Sequence, residues 1–348
     1  AYSPFYYNVG SYDRQSNQYV LNWLNSSVVN NAPNIAQEYL SYNAGEPNIN
    51  TFLYGQAAVN YDRTFGNHSV SAVLIGTGQQ TVYNNAKDPK TKQRTLQYSL
   101  PYRNIGLAGR LTYSYKGKYF VESNFGYNGS ERFSENHRFG FFPTIGGGWI
   151  VSNEKFWEGF SNVVSRLKLR GSFGLVGNDA IGSQRFFYKS DVNLNGGGNY
   201  AEFGFNKGSN RPGVYINSYE NTDITWETSR QTNIALEMTL FKNMNIIAEV
   251  YNNLRYNIYM IRKNVPSTLG LEAIDPNTGV PDIGANIGKA RSRGIDLSLD
   301  YKFNVNDFSF AVRSNLTFAK NKYINYEEPQ WAEAYRYTTG QAISRNFG

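Results

Sequence analysis

The stretch "LTYSYKGKYFVESNFGYNG", residues Leu111 to Gly129, decides how this chain folds. Leu111, Tyr113 and Tyr115 alternate with Thr112, Ser114 and Lys116, and after "KGK" the chain returns with Tyr119, Val121, Phe125 and Tyr127 on one side and Glu122, Asn124 and Asn128 on the other. A period of two is the signature of a strand with unlike faces, and a short Gly-containing break between two such runs is a hairpin. One face is aromatic and the other polar. Phe120 breaks the rule just after the turn, on the polar side.

The same alternation recurs along the chain. Thr232, Ile234, Leu236, Met238 and Leu240 alternate with Asn233, Ala235, Glu237 and Thr239; Leu167, Leu169, Phe173 and Leu175 with Arg166, Lys168, Arg170 and Ser172. Leu297, Leu299, Tyr301 and Phe303 alternate with Asp296, Ser298, Asp300 and Lys302, and Phe308, Phe310, Val312, Leu316 and Phe318 with Ser309, Ala311, Arg313, Asn315 and Thr317. These runs exceed the roughly 5 or 6 residues usual in globular strands. They match the roughly 9 to 11 residues that a tilted strand needs to cross a bilayer.

The connections alternate in length. "FGN" at 65–67, "KGK" at 116–118, "KNMN" at 242–245 and "NVND" at 304–307 are short, whereas 79–104, 129–138, 178–226 and 256–286 are long. Residues 152–164 read as a short helix capped by Ser152 or Asn153. Short turns at one end and long loops at the other are what an outer-membrane barrel requires, periplasmic and extracellular respectively. On this reading Leu111, Tyr113 and Tyr115 face lipid, Thr112, Ser114 and Lys116 face the lumen, and tyrosines near the strand ends form interfacial girdles.

Composition narrows the alternatives. Hydrophobic residues make up 40% of the 348, charged residues 18% and aromatics 16%, with 28 Tyr and 22 Phe, too rich in large apolar groups for disorder. The absence of Cys removes disulfides, thiol nucleophiles and cysteine-ligated metals. No run of 18 apolar residues reads as a membrane helix, and "AYSPFYYNVG" is not read as a signal peptide. Mean hydropathy is -0.53, which a membrane barrel tolerates because only every second residue is apolar. The net charge of +7 is scattered, whereas nucleic-acid binding needs a concentrated patch, so no nucleic-acid partner is expected.

From "RLTYSYKGKYFVESNFGYNGSERF" through "RFGFFPTIGGGWIVSNEKFW" (Arg138 to Trp157), the chain resembles SusC-like TonB-dependent outer-membrane transporters. The likeness continues in "LKLRGSFGLVGNDAIG" at 167–182, "ITWETSRQTNIALEMTLFKNMNIIAEVYNN" at 224–253, "VPSTLG" at 265–270, "NIGKARSRGIDLSLDYKF" at 286–303 and "RSNLTFAKNKYINYEE" at 313–328. It implies an all-β, antiparallel transmembrane barrel of about 22 strands with a plugged lumen, of which residues 1–348 would be an internal part carrying roughly ten to fourteen. Signal peptide, TonB-contacting segment and plug are not recognised, so other strands are expected to complete the wall, because open strand edges are not viable in lipid. The resemblance further implies TonB-coupled uptake of a bulky oligosaccharide or peptide, with a SusD-like surface lipoprotein over the extracellular mouth and the inner-membrane TonB complex supplying energy. The alternative is a surface adhesin or soluble β-sandwich.

Individual residues offer little chemistry. His68 and His137 come without HExxH or GxSxG, so no enzyme, metal site or cofactor is expected. "GGG" at 146–148 is read as a strand segment permitting close approach or a kink, and "GGG" at 196–198 as loop. "DPK" at 88–90 and "DPNTG" at 275–279 are read as Asx turns. Loop aromatics Tyr188, Tyr200, Tyr215, Tyr219 and Trp226 are the candidate substrate contacts, since such rings offer an apolar face with a polar tip. Arg110, Lys168, Arg170 and Arg313 are expected to point into the lumen against Glu122, Glu237, Glu249, Asp296 or Asp300 as a charge lattice.

Overall fold

The computed structural model describes residues 7–23, 49–87, 94, 96–182, 185–271 and 283–343. "DPNTG" and "DPK" lie outside the described residues. The chain divides into two compact units, residues 1–51 with 82–100, and residues 52–81 with 101–348. Within the first, β1 (Tyr7–Asp13) and β2 (Gln18–Trp23) pair antiparallel, joined by a turn in which Asp13 accepts from the Gln15 amide (3.0 Å) and the Ser16 hydroxyl (2.6 Å).

Among the described residues, the largest part of the architecture is a ten-stranded antiparallel sheet. Its strands are β3 (Asn50–Phe65), β4 (His68–Tyr83), β5 (Tyr102–Tyr115), β6 (Tyr119–Ser130), β7 (Phe139–Ile150), β8 (Val164–Asn178), β11 (Glu227–Leu240), β12 (Met244–Ile261), β13 (Gly284–Val305) and β14 (Phe308–Asn325), side by side in chain order. Between β8 and β11 the chain leaves the sheet to form a separate hairpin of β9 (Asp191–Phe203) and β10 (Ser209–Ser218). At ~3.3 Å per residue the 14 residues of β11 reach ~46 Å, or ~33 Å of membrane thickness at a 45° tilt, enough for a hydrocarbon core of ~30 Å.

Register turns the sequence alternation into faces. Ala72, Leu111, Ser123, Ile145, Phe173 and Thr232 lie across one another on successive strands, while Glu122 lies opposite Thr112 and Gly146 on the other face. The aromatic face stays uncovered: Leu111, Phe141, Ile145, Phe173, Ile234 and Leu316 are all exposed. A soluble sandwich would bury that face under a second sheet, and none covers it among the described residues. The face is a lipid-facing wall.

The two ends differ as their sequences require. One end has the short connections at 66–67, 116–118, 241–243 and 306–307 together with the longer 151–163, and the other has 84–101, 131–138, 179–226 and 262–283. In "KGK", Lys116 (φ 51°) and Gly117 (φ 62°) both take the left-handed conformation of a tight hairpin turn whose twist matches its strands. Beside it runs an aromatic row: Tyr115 stacks near Tyr119 and Tyr119 near Trp149, each with ring centres 6.4 Å apart. His68 joins the same row, its Nδ1 2.7 Å from the Tyr113 hydroxyl. Amphipathic rings collected at a strand end are the girdle of a membrane interface.

Three sequence expectations need correction. Residues 152–164 form two short 3-10 turns, Val151–Asn153 and Lys155–Phe160, and neither has a side-chain cap hydrogen bond. Phe156 and Phe160 stay exposed, so no buried apolar face repays the cost of nucleating a longer helix. The glycines at 146–148 cause no kink, since β7 pairs with β6 without a register shift and added Cβ atoms would find nothing nearer than 3.5 Å. The glycines at 196–198 belong to β9. Phe120, by contrast, does sit on the polar face, opposite Ser114 and Gly148, whose small size leaves room for its ring.

Candidate functional site

Two features of the sheet bear on function: the chemistry of its polar face, and the packed cluster at its long-loop end. On the polar face the anticipated charge lattice forms. Arg110 Nη2 lies 2.6 Å from Glu122 Oε2, and Asn124 donates to the other oxygen of Glu122 at 2.8 Å. Arg170 spans two strands, with Nε 2.9 Å from Glu237 and Nη2 2.6 Å from Glu249, while Lys168 lies 3.5 Å from Glu237. Arg313 Nε meets Asp300 at 3.1 Å. Asp296 is aligned with Glu249 on the same face but makes no ion pair among the described residues, so that one expected partnership is absent. These pairs are part-exposed, so each contributes at most about 1 kcal/mol and fixes side-chain positions more than it stabilises the wall.

The long-loop end holds a buried core. Phe133, Ile181, Phe187, Ile224 and Trp226 pack together, with Phe142 of β7 and Tyr259 of β12 against them. They come from the connections 131–138, 179–190 and 219–226, so three loops are tied to one another and to the strands below. Rings meet at 5.3 Å (Phe133–Trp226), 5.4 Å (Phe142–Trp226) and 5.0 Å (Phe187–Tyr259). The Trp226 indole donates to the Arg138 carbonyl at 3.3 Å. Ser134 and His137 both donate to the Thr222 carbonyl, at 2.7 and 3.0 Å, which gives His137 a structural role. Asn286 clamps Thr225 from both sides, accepting from its amide and donating to its carbonyl, each at 2.9 Å.

Arg185 locks the same region. Its side chain is only 2% exposed, and it donates to the Pro101 carbonyl at 2.8 Å and to Glu131 at 3.0 Å. The guanidinium carbon sits 3.8 Å from the centre of the Tyr102 ring and 4.7 Å from that of Phe186, a doubly stacked cation. Phe186 itself takes φ 53°, a left-handed conformation that a bulky residue adopts only when its surroundings impose it. Here Arg185 and Phe187, buried on either side, do so.

The five aromatic residues singled out from the sequence fall into different places. Trp226 is buried in the loop core and offers no open face. Tyr200 on β9 is half exposed, and Tyr215 lies on β10 of the same hairpin. Tyr188 and Tyr219 are partly exposed near its base, where the Asn221 amide donates to the Phe187 carbonyl and Asn217 donates to Asp191, both at 3.1 Å. Beside the loop end, a cleft of about 550 Å³ is lined by Arg262, Tyr326, Glu327, Glu328, Tyr337 and Thr339 among others. Burial pushes the Glu328 carboxyl up, but amides of Thr338 (2.7 Å) and Thr339 (2.9 Å) outweigh it and hold the group below the usual carboxylate range. The 3.1 Å donation from Thr339 Oγ1 to the Tyr326 carbonyl closes this loop. No group of three or more His, Cys, Asp or Glu side chains with metal-site geometry occurs among the described residues.

Known proteins share this design. A TonB-dependent receptor of Formosa agariphila is 26% identical over 334 residues, 87% of this chain and 29% of that protein. A second receptor of that organism is 30% identical over 252 residues, and the TonB-dependent receptor SusC of Bacteroides thetaiotaomicron is 27% identical over 252 residues, each match covering 71% of this chain and 23% of the relative. The chain is similar to SusC-like TonB-dependent outer-membrane receptors. The RagAB peptide importer in its closed-closed state matches in fold, with a TM-score of 0.58 at 18% identity, over 79% of this chain and 30% of that one. No protein-family model matches the chain. The SusC-like chain thus spans less than a third of the length of the curated relatives it matches. Its exposed aromatic face is the lipid side of an outer-membrane barrel, its ionic face lines the lumen, and its long loops are extracellular. The relatives carry receptor names, not those of enzymes.

Proposed function

We propose that this chain forms part of the wall of a TonB-coupled importer. The importer takes up a bulky nutrient, an oligosaccharide or a peptide, with a SusD-like lipoprotein closing its extracellular face. The carrying observation is the loop core of Phe133, Phe187, Ile224 and Trp226, because it builds a rigid extracellular rim on the wall, as a docking lid and a large substrate require. SusC similarity supplies the family context. The wall performs no covalent chemistry. Its contribution is a lumen lined by fixed charges and a rim from which the β9–β10 hairpin carries Tyr200 and Tyr215, flanked by Tyr188 and Tyr219, toward the substrate. Ring faces of this kind suit sugars and peptide side chains alike.

In-frame deletion of the full-length receptor gene in its own host, followed by uptake of fluorescent oligosaccharide and peptide libraries, tests the assignment. At least one class should cease to enter, and a tagged receptor should co-purify with a surface lipoprotein. Unchanged uptake of every member of both libraries would refute import.

A further inference from the structure

The lipid face of β11–β14 ends in a cluster of cations. Above the apolar rungs Leu236–Ala248–Leu297–Leu316 and Ile234–Val250–Ile295–Phe318, toward the long loops, comes Thr232–Asn252–Arg293–Lys320, and then Arg230–Leu254–Arg291–Lys322. Each rung lies one pleat, about 6.6 Å along the strand, above the last. Arg293 is thus directly across from Lys320, and Arg291 from Lys322. Like charges directly opposite on neighbouring strands are destabilising, and here two such pairs are stacked.

No counter-charge is at hand. Every acidic residue within these four strands, Glu227, Glu237, Glu249, Asp296 and Asp300, lies at lumen-facing register positions. None of Arg230, Arg291, Arg293, Lys320 and Lys322 makes an ion pair among the described residues, and the Nε of Arg291 is buried without a hydrogen-bond partner. The cluster is local. On β5–β7 the outward positions stay apolar or small up to Ile105, Gly129 and Phe139, and the first outward cation, Arg103, gives its Nε to Gln80 at 3.0 Å.

We infer that this patch binds the phosphorylated headgroup of an outer-leaflet glycolipid. Its position selects the ligand: the cations continue the lipid-facing apolar band at its extracellular edge, where acyl chains end and headgroup phosphates begin. A phosphate between Arg293 and Lys320, or between Arg291 and Lys322, converts a repulsive pair into two charge-assisted contacts, and guanidinium forks suit phosphate oxygens. The lipid is then part of the wall. The inference rests on the barrel's orientation in the outer membrane and not on what the receptor imports.

Full-length receptor, extracted from its own outer membrane in mild detergent, provides the test by native mass spectrometry and a count of retained lipid phosphate. The wild type should hold phosphorylated glycolipid, and the triple variant Arg291→Gln, Arg293→Gln, Lys320→Gln should retain at least about tenfold less. An equal loss of charge at the periplasmic end, Lys116→Gln, Lys242→Gln, Lys302→Gln, should retain the wild-type amount. Lys320→Glu supplies an internal partner for Arg293, so it should lower lipid retention while preserving heat-modifiable barrel migration. The idea is overturned if the wild type carries no such lipid, if the first triple variant keeps it, or if both triple variants lose it equally. Substrate uptake, measured in parallel, reports on the import assignment alone.

Discussion

Replacing Arg185 by Met keeps much of the side-chain stem and removes the guanidinium. The structure sets the size of the effect. Hydrogen bonds to charged groups contribute about 1.5–3 kcal/mol and a desolvated cation–π contact about 2 kcal/mol, while breaking a buried ion pair costs about 3–5 kcal/mol. These contributions overlap, because one guanidinium makes all of them, and Glu131, with a side chain 26% exposed, keeps the Arg103 amide at 3.1 Å and can recover solvent. We therefore expect about 3 kcal/mol, a factor of about 150 in the local opening equilibrium. The loss should be confined to the loop end, where Pro101, Tyr102 and Glu131 meet Arg185. Hydrogen exchange of the full receptor in detergent provides the assay: peptides covering 131–138 and 185–190 should exchange about two orders of magnitude faster, with β11–β13 unchanged. Exchange at those loops within threefold of the wild type would refute the assignment of Arg185 as a lock. Uniform acceleration across the sheet would place its effect on the barrel as a whole.

Trp226→Ala should destabilise the same loop core by about 3–5 kcal/mol, as large-to-small changes at buried aromatics do, and release Phe133 to protease cleavage, whereas Trp226→Phe should cost clearly less. Tyr200→Ser combined with Tyr215→Ser should leave the barrel's heat-modifiable migration intact and weaken substrate binding by about tenfold or more, readable by calorimetry with the transported substrate. Glu154, in the periplasmic turn, accepts from the Tyr119 hydroxyl (2.7 Å), Lys118 (3.0 Å) and the Trp149 indole (3.3 Å), and these bonds hold its carboxyl below the usual range. A carboxyl depressed by folding stabilises above its unfolded pKa of about 4.3 and loses that contribution as pH falls through the lower folded value. Thermal scans between about pH 6 and pH 3 should accordingly show a steeper acid loss in the wild type than in Glu154→Gln; identical slopes would count against the role of this carboxylate.

The wall was legible because a strand's period of two is local. Alternation in 232–240 and 297–303 is enough to assign faces, and the resulting pairs Arg170–Glu237, Arg170–Glu249 and Arg313–Asp300 follow once neighbouring strands are aligned. The loop end was not legible for the opposite reason. Arg185 finds Glu131 and Pro101 at 54 and 84 positions' remove, and Trp226 finds Arg138 at 88, with no periodicity to announce either contact. A tryptophan inside a polar stretch therefore reads as a binding residue until its neighbours are known. Residues 152–164 misled differently, because apolar residues at helical spacing there are left facing outward, not into a core.

The sheet and the loop core are stabilised by different physics, and on the proposed import reading that division constrains transport. Among the described residues the sheet encloses no dry protein core of its own: its outward side chains rely on lipid, its ladder on backbone hydrogen bonds, and its lumen face on part-exposed ion pairs. Among the described residues, apolar burial is concentrated where Phe133, Ile181, Phe187, Ile224 and Trp226 meet. Loops built on such a core cannot swing as independent arms without exposing it, so the connections 131–138 and 219–226 must move with the wall or not at all. The β9–β10 hairpin forms a two-stranded sheet of its own, separate from the ten-stranded wall. On the proposed import reading, adjustment to substrate on this part of the rim falls to that hairpin. Cross-linking it to the loop core, with Ser218 and Thr222 each replaced by Cys in an otherwise cysteine-free segment, should leave the barrel and its lid docking unaltered and slow uptake. If uptake through the cross-linked receptor equals that of the reduced form, the hairpin moves with the wall and capture must be assigned elsewhere.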